Sequence, residues 1–238
     1  MSNNLQNQKV IIAGGSSGIG LATAQLLYAQ NAQITITGRD TTKLEKVKQE
    51  FPLIETVSLD SGNTKDLSAF FSERGIFQHL IITVSGAKGG GPFSSLSLED
   101  LRDGFEAKFW AHVKTIQAAL PYLQKDGSIT IVTASSTSSR LPGTSGLAAI
   151  NGALEMMIPI LAKELQPLRI NAVSPGVIDT SWWNFLKEED KKATFDNFSK
   201  QVCVGRIGRP EEVANAILSM MTNDYINGTI LSCNGGLG

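Results

Sequence analysis

"VIIAGGSSGIGLATAQLL" (residues 10–27) runs from a β-branched apolar segment through a glycine-rich turn into a helical pattern without a break. Val10, Ile11 and Ile12 read as a buried strand. Gly14, Gly18 and Gly20 then allow a tight turn, close approach by another backbone, and close packing of the helix on the strand. Ser16, Ser17, Gly18 and Ile19 stand at the helix start, where exposed N–H groups and the positive end of the dipole suit a pyrophosphate. A glycine-rich turn alone is weak evidence. Between a strand and a helix, at the first βα unit of an alternating chain, it points to a dinucleotide site.

The rest of the chain repeats that alternation. "QITITG", "ETVSLD", "HLIITVSG", "GSITIVTASS", "RINAVSPG" and "GTILSCNGG" each read as a strand closing in a polar or glycine-rich turn. Helical periods such as "LEDLRDGFEAKFWAHVKTIQAALPYL" lie between them. Strands buried on both faces and separated by helices imply right-handed crossovers. The expected fold is α/β: a single doubly wound Rossmann-type domain over residues 1–238, with about seven mostly parallel strands and helices on both faces. Thr42 with Glu45, Ser97 with Asp100, and Pro210 before two acids mark helix starts. The longest irregular stretch, residues 177–208, is expected to form a lid or substrate loop. A surface helical hairpin with a solvated charged face is the alternative for its charged run, Lys187 to Lys192.

Composition narrows the function. A net charge of −1 provides no field to draw in nucleic acid or an anionic membrane. The polar start "MSNNLQNQKV" shows no apolar signal region. No apolar run is expected to approach the roughly 20 residues that span a bilayer. Cys203 and Cys233 show no metal-ligand spacing, so no metal is expected, and both read as reduced, buried or half-buried thiols of a cytoplasmic protein.

The second strand ends in "TITGRD". An acid there would accept from a ribose 2′-OH, whereas a guanidinium suits a 2′-phosphate. Arg39 therefore predicts NADP(H), with Ser16 adding a hydroxyl contact; a solvated Arg39 is the alternative. Asp40 reads as a helix N-cap.

The spacing Gly-x3-Gly-x-Gly, with the further motifs along nearly the whole chain, resembles the short-chain dehydrogenase/reductase family. In that resemblance Asp60, ending "VSLD", contacts adenine. "ITVSG" stands where the family has Asn-Asn-Ala-Gly, so Ser85 and Gly86 match while Thr83 and Val84 depart. "RINAVSPGVIDT" is similar to the family's sixth strand and nicotinamide loop, which implicates Pro175, Gly176, Ile178 and Thr180.

The catalytic centre departs further. The family acts through a Ser, a Tyr-x3-Lys pair and an Asn on the preceding helix, the Tyr serving as a general acid tuned by the neighbouring ammonium. Here the Ser, Tyr and Lys positions fall on Ala134, Leu147 and Asn151, and one residue's slip brings in Ser135. There is no ionisable side chain between Arg140 and Glu155. Lys108 stands at the Asn position, as though amide and ammonium had changed places. Lys108 is then expected to supply the missing charge and Asn151 an amide contact; the alternative is an exposed lysine on an amphipathic helix. His112, one turn further, reads as a packed or interface residue, and His79 as structural. Trp182, Trp183 and Phe185, with Phe93, either wall the nicotinamide or pin the loop.

Two functions follow. One is an NADP(H)-dependent oxidoreductase acting on a small, fairly apolar carbonyl or alcohol by a non-standard proton path. The other is an NADP(H)-binding pseudoenzyme, a redox sensor or interaction protein. The resemblance implies a homodimer or homotetramer packed through the helices around Lys108 and Leu154.

Overall fold

The computed structural model describes residues 5–237. The chain opens with β1 (Lys9–Ala13), α1 (Gly18–Tyr28), β2 (Gln33–Gly38), α2 (Thr41–Glu50) and β3 (Glu55–Ser58). Helix α3 (Thr64–Arg74) crosses to β4 (Phe77–Ile82). A long helical run follows, made of α4 (Leu98–Gly104), a π-helical stretch (Phe105–Trp110) and α5 (Ala111–Ala119), and leads to β5 (Leu123–Val132). The short α6 (Ser136–Ser139) precedes α7 (Ser145–Glu164), β6 (Arg169–Pro175), α8 (Glu188–Gln201), α9 (Pro210–Thr222) and β7 (Ile230–Cys233).

All seven strands pair in parallel, in the order β3-β2-β1-β4-β5-β6-β7. Each strand is separated from the next by at least one helix, so the chain can return only by crossing a sheet face. Apolar side chains on both faces of the strands therefore build two cores. Leu67, Phe71, Ile129 and Leu154 belong to one, and Leu27, Ile36, Val213 and Ile217 to the other.

Several expectations are refined. Asp40, not the Thr42–Glu45 pair, caps α2, its carboxylate accepting from Lys43 N at 3.1 Å. Ser97 caps α4, and Pro210 opens α9. The stretch 177–208 is not irregular: it holds a 3-10 turn (Ser181–Phe185) and α8, whose first turn carries Glu188, Glu189 and Asp190. The charged run is thus a solvated helix face, with acids placed favourably at the dipole's positive end. Cys203 is exposed rather than buried, while Cys233 is half-buried and its thiol is pushed up by burial. Helix α7, 20 residues long, is apolar enough by length and composition to cross a bilayer, contrary to the reading of apolar runs. Ile150, Leu154 and Ile158 on it are buried within the chain.

His79 lies inside β4, where Gln8 Oε1 contacts its Nε2 at 2.6 Å and Ser128 Oγ its Nδ1 at 2.8 Å. Burial, aided by the charge of Arg169, pushes it down to about 4. The unfolded chain takes up this proton near 6.5, so between those values the unfolded state binds more protons, and stability is lost as the pH drops from 6.5 towards 4. His112, pushed down to about 3 mainly by burial, acts in the same sense. Urea denaturation at pH 7 and pH 4 should show about 3 kcal/mol lost through His79 alone. His79→Gln should flatten the slope between pH 6.5 and 4.5; an unchanged slope would remove His79 from this account.

Candidate active site

A cleft of about 640 Å³ opens along the carboxyl edge of the sheet, where the strand order reverses between β1 and β4. The glycine turn forms its first wall. Gly14 has φ +86, and a Cβ there would lie 2.8 Å from Thr83 Oγ1. A Cβ on Gly20 would lie 2.3 Å from the Gly14 carbonyl oxygen. The Thr83 hydroxyl donates towards Ala13 O (3.1 Å) and Gly14 O (3.0 Å). This departure from the family's amide therefore fastens β4 to the turn.

Ser16, Ser17, Gly18 and Ile19 line the cleft beside it. Asp40, Asn63 and Ser97 close the starts of α2, α3 and α4 with side-chain hydrogen bonds, whereas Ser17 makes none at α1. The first-turn N–H groups of α1 have no intrahelical partners, and they face a space lined by glycine. That is a fit for a pyrophosphate.

The other predicted positions arrive from the ends of successive strands. Arg39 follows β2 and Asp60 follows β3, both exposed at one end of the cleft. Ser85 and Gly86 follow β4; Pro175, Gly176, Ile178 and Thr180 come from the end of β6 and the loop beyond. Trp182 Nε1 donates to Gly86 O at 3.2 Å, and Trp183 Nε1 to Ile178 O at 3.0 Å. These two indoles both line the cleft and pin the loop. Phe93 and Phe185 are exposed and outside the cleft, so they drop out of the expected wall.

Lys108, Ala134, Ser135, Leu147 and Asn151 meet at the deep end. Lys108 is only 8% exposed, which excludes the surface-lysine alternative. It belongs to the π-helical stretch, a widened turn frequent at functional sites. Its Nζ donates to Thr133 O at 3.1 Å, and the His112 imidazole donates from Nδ1 to Lys108 O at 2.8 Å. Burial pushes the ammonium down to about 8, against the charge of Glu155, which raises it. Asn151 donates from Nδ2 to Leu147 O (2.8 Å) and Ser136 Oγ (3.2 Å). Its Oδ1 is buried without a hydrogen-bond partner, an acceptor suited to a ligand hydroxyl. No tyrosine among the described residues lines the cleft. Tyr28 packs on Phe51, Tyr122 on the core, and Tyr225 is fully exposed.

Sequence reasoning missed the layer behind this floor. Glu155 Oε1 accepts from Thr133 Oγ1 at 2.6 Å and Ser174 Oγ at 3.1 Å, joining α7 to the ends of β5 and β6. The available signal was spacing: Glu155 follows Asn151 by four residues and Leu147 by eight, on one helix face.

A parallel sheet with a glycine turn at its switch point and a long cleft beside it defines a dinucleotide-binding fold. A family model described as enoyl-(acyl carrier protein) reductase matches residues 13–238. The short-chain dehydrogenase/reductase malC of Malbranchea aurantiaca is 27% identical over 251 residues, covering 98% of this chain and 95% of that protein. A small-chain dehydrogenase solved in complex with NADPH is 28% identical with a TM-score of 0.85, covering 98% of this chain and 99% of that one. A short-chain oxidoreductase from Pseudomonas aeruginosa, described as containing an atypical catalytic center, is 26% identical with a TM-score of 0.87, covering 97% of each chain. The chain belongs to the short-chain dehydrogenase/reductase family of oxidoreductases.

The tight glycine contact is testable. Gly20→Ala should destabilise the chain by about 2 kcal/mol, because the added methyl meets backbone that cannot yield. Gly90→Ala, whose Cβ would meet the Leu147 side chain no closer than 3.5 Å, should stay within about 0.5 kcal/mol. Equal melting temperatures for the two variants would contradict the close approach.

Proposed function

We propose that this chain is an NADP(H)-dependent oxidoreductase acting on a small, fairly apolar carbonyl or alcohol, with Lys108 handling the proton in place of a tyrosine. The observation that carries this is the buried Lys108 ammonium in the same cleft as the glycine turn and the loop from Pro175 to Thr180. The similar dehydrogenase solved with NADPH supports the same cofactor. When bound, the cofactor supplies or accepts hydride at its nicotinamide ring.

The chain's own groups divide the remaining work. The N–H groups at the start of α1 hold the pyrophosphate, and Arg39, with Ser16, holds the 2′-phosphate. Asp60 borders the adenine. Pro175, Gly176, Ile178 and Thr180 border the nicotinamide, and Asn151 Oδ1 accepts from a ligand hydroxyl. Ser135 steadies the substrate oxygen, while Lys108 Nζ gives or takes its proton. Leu147, Trp182 and Trp183 offer substrate an apolar surface, with residues 177–208 acting as the lid. Trp110, Met156 and Ile160, exposed on the long helices, favour a homodimer or homotetramer. A second reading, NADP(H) binding without turnover, is favoured by one observation: no tyrosine among the described residues lines the cleft.

Titration with NADPH and NADH, followed by energy transfer from tryptophan, tests this reading. NADPH should bind at least about 10-fold more tightly, and Arg39→Gln should remove most of that preference. If neither nucleotide binds, the oxidoreductase reading falls. Tight NADPH binding without reduction of any aldehyde or ketone in a broad panel would establish the second reading instead.

A further inference from the structure

The deep end of the cleft raises a question of charge. An ammonium group removed from water costs several kcal/mol unless other groups compensate. Among the described residues, the Lys108 Nζ has one hydrogen bond, to the neutral carbonyl of Thr133, and no carboxylate within ion-pair distance. Yet the residue that supplies that carbonyl, Thr133, also donates its hydroxyl to Glu155, and Ser174 donates to the same carboxylate oxygen. Thr133 thus presents one face to the cation and the other to the anion. A carboxylate fixed by two hydroxyls from two strand ends cannot swing out to solvent without breaking both hydrogen bonds.

The other charged groups around Lys108 are already engaged. Glu106, from the π-helical stretch, pairs with Lys114 at 3.5 Å on the surface. Lys88, from the loop after β4, is held by Asp100 and Asp103. His112, from α5, is buried and kept neutral. From the ends of β5 and β6, Thr133 and Ser174 bring uncharged groups. Among the described residues, Glu155, from α7, is the opposite charge acting on the ammonium.

We propose that Glu155 is the positioning residue of this site, its carboxylate being the countercharge that holds the Lys108 side chain in its protonated form beneath the cleft. This rests on the reading of Lys108 as the proton-handling group. In reduction, Nζ gives one proton to the substrate oxygen and is left as a neutral amine. The hydride that reaches carbon, with its electron pair, would be supplied by a reduced nicotinamide held in the cleft, which would thereby be oxidised. Solvent then returns the proton to Nζ. Glu155 touches neither substrate nor cofactor; it sets how much of the enzyme carries that proton at a given pH.

The test uses the full chain labelled with 13C at lysine Cε and glutamate Cδ, titrated by NMR from pH 6 to 10. The Lys108 resonance is identified by its loss in Lys108→Met. Its midpoint should lie near 8 in the unsubstituted chain. In Glu155→Gln it should fall by about one pH unit, a roughly five-fold drop in the protonated form at pH 8. Glu155→Asp, which keeps the charge, should recover most of the shift. A midpoint unchanged in Glu155→Gln overturns the proposal. Should that variant fail to fold, the unsubstituted chain decides: the Glu155 Cδ resonance must move across the Lys108 transition, and a flat response overturns the proposal equally. A merely structural Glu155 would alter melting but leave the midpoint where it was. Failure of NADPH to bind sinks the proposed function without touching these midpoints. Unmoved midpoints with NADPH bound sink this inference alone.

Discussion

Because the seven strands run parallel, every strand delivers its carboxyl end to the same edge of the sheet. That edge carries the start of α1 as well, with N–H groups that no side chain caps. The order reversal between β1 and β4 sends neighbouring connections to opposite faces and leaves a crevice between them. Residues as distant in sequence as Gly14, Arg39, Lys108 and Thr180 meet there for no other reason. The close seating of the glycine turn on Thr83 keeps that crevice narrow and its backbone exposed.

At the deep end a different constraint dominates, the cost of keeping a charge out of water. A phenol is neutral at physiological pH and can be buried cheaply once hydrogen-bonded. An ammonium cannot. A buried cation on the π-helical stretch therefore calls for polar support around it, and the structure has it in Thr133, Ser174 and Glu155. Asn151, on α7, satisfies its own donors and keeps one acceptor unused.

The fold was legible because its signals are local. All seven strands fall on the apolar runs read from the sequence, and the glycine turn states its geometry outright. Each predicted cofactor position lines the cleft, since strand ends can be counted along the chain. What escaped was three-dimensional. Glu155 reads as an ordinary helix carboxylate until β5 and β6 bring Thr133 and Ser174 against it. Residues 177–208 read as irregular because α8 buries no residue and so shows no apolar stripe. For Phe93 and Phe185 the sequence leaves open a place in the cleft wall, because a short 3-10 turn gives each a direction that no periodicity encodes.

The widened turn at Phe105–Trp110 has a consequence for how such a site can arise. A π-helical stretch stores one surplus residue within a helix whose flanking turns are regular. Excising that residue would restore 3.6 residues per turn and rotate everything on one side by about 100° relative to the other. Lys108 would then leave the floor, or Ala111, His112 and Thr115 would leave the core. The surplus residue lets one face of this helix answer to the ligand and the next to the sheet, so the two can be altered by separate mutations.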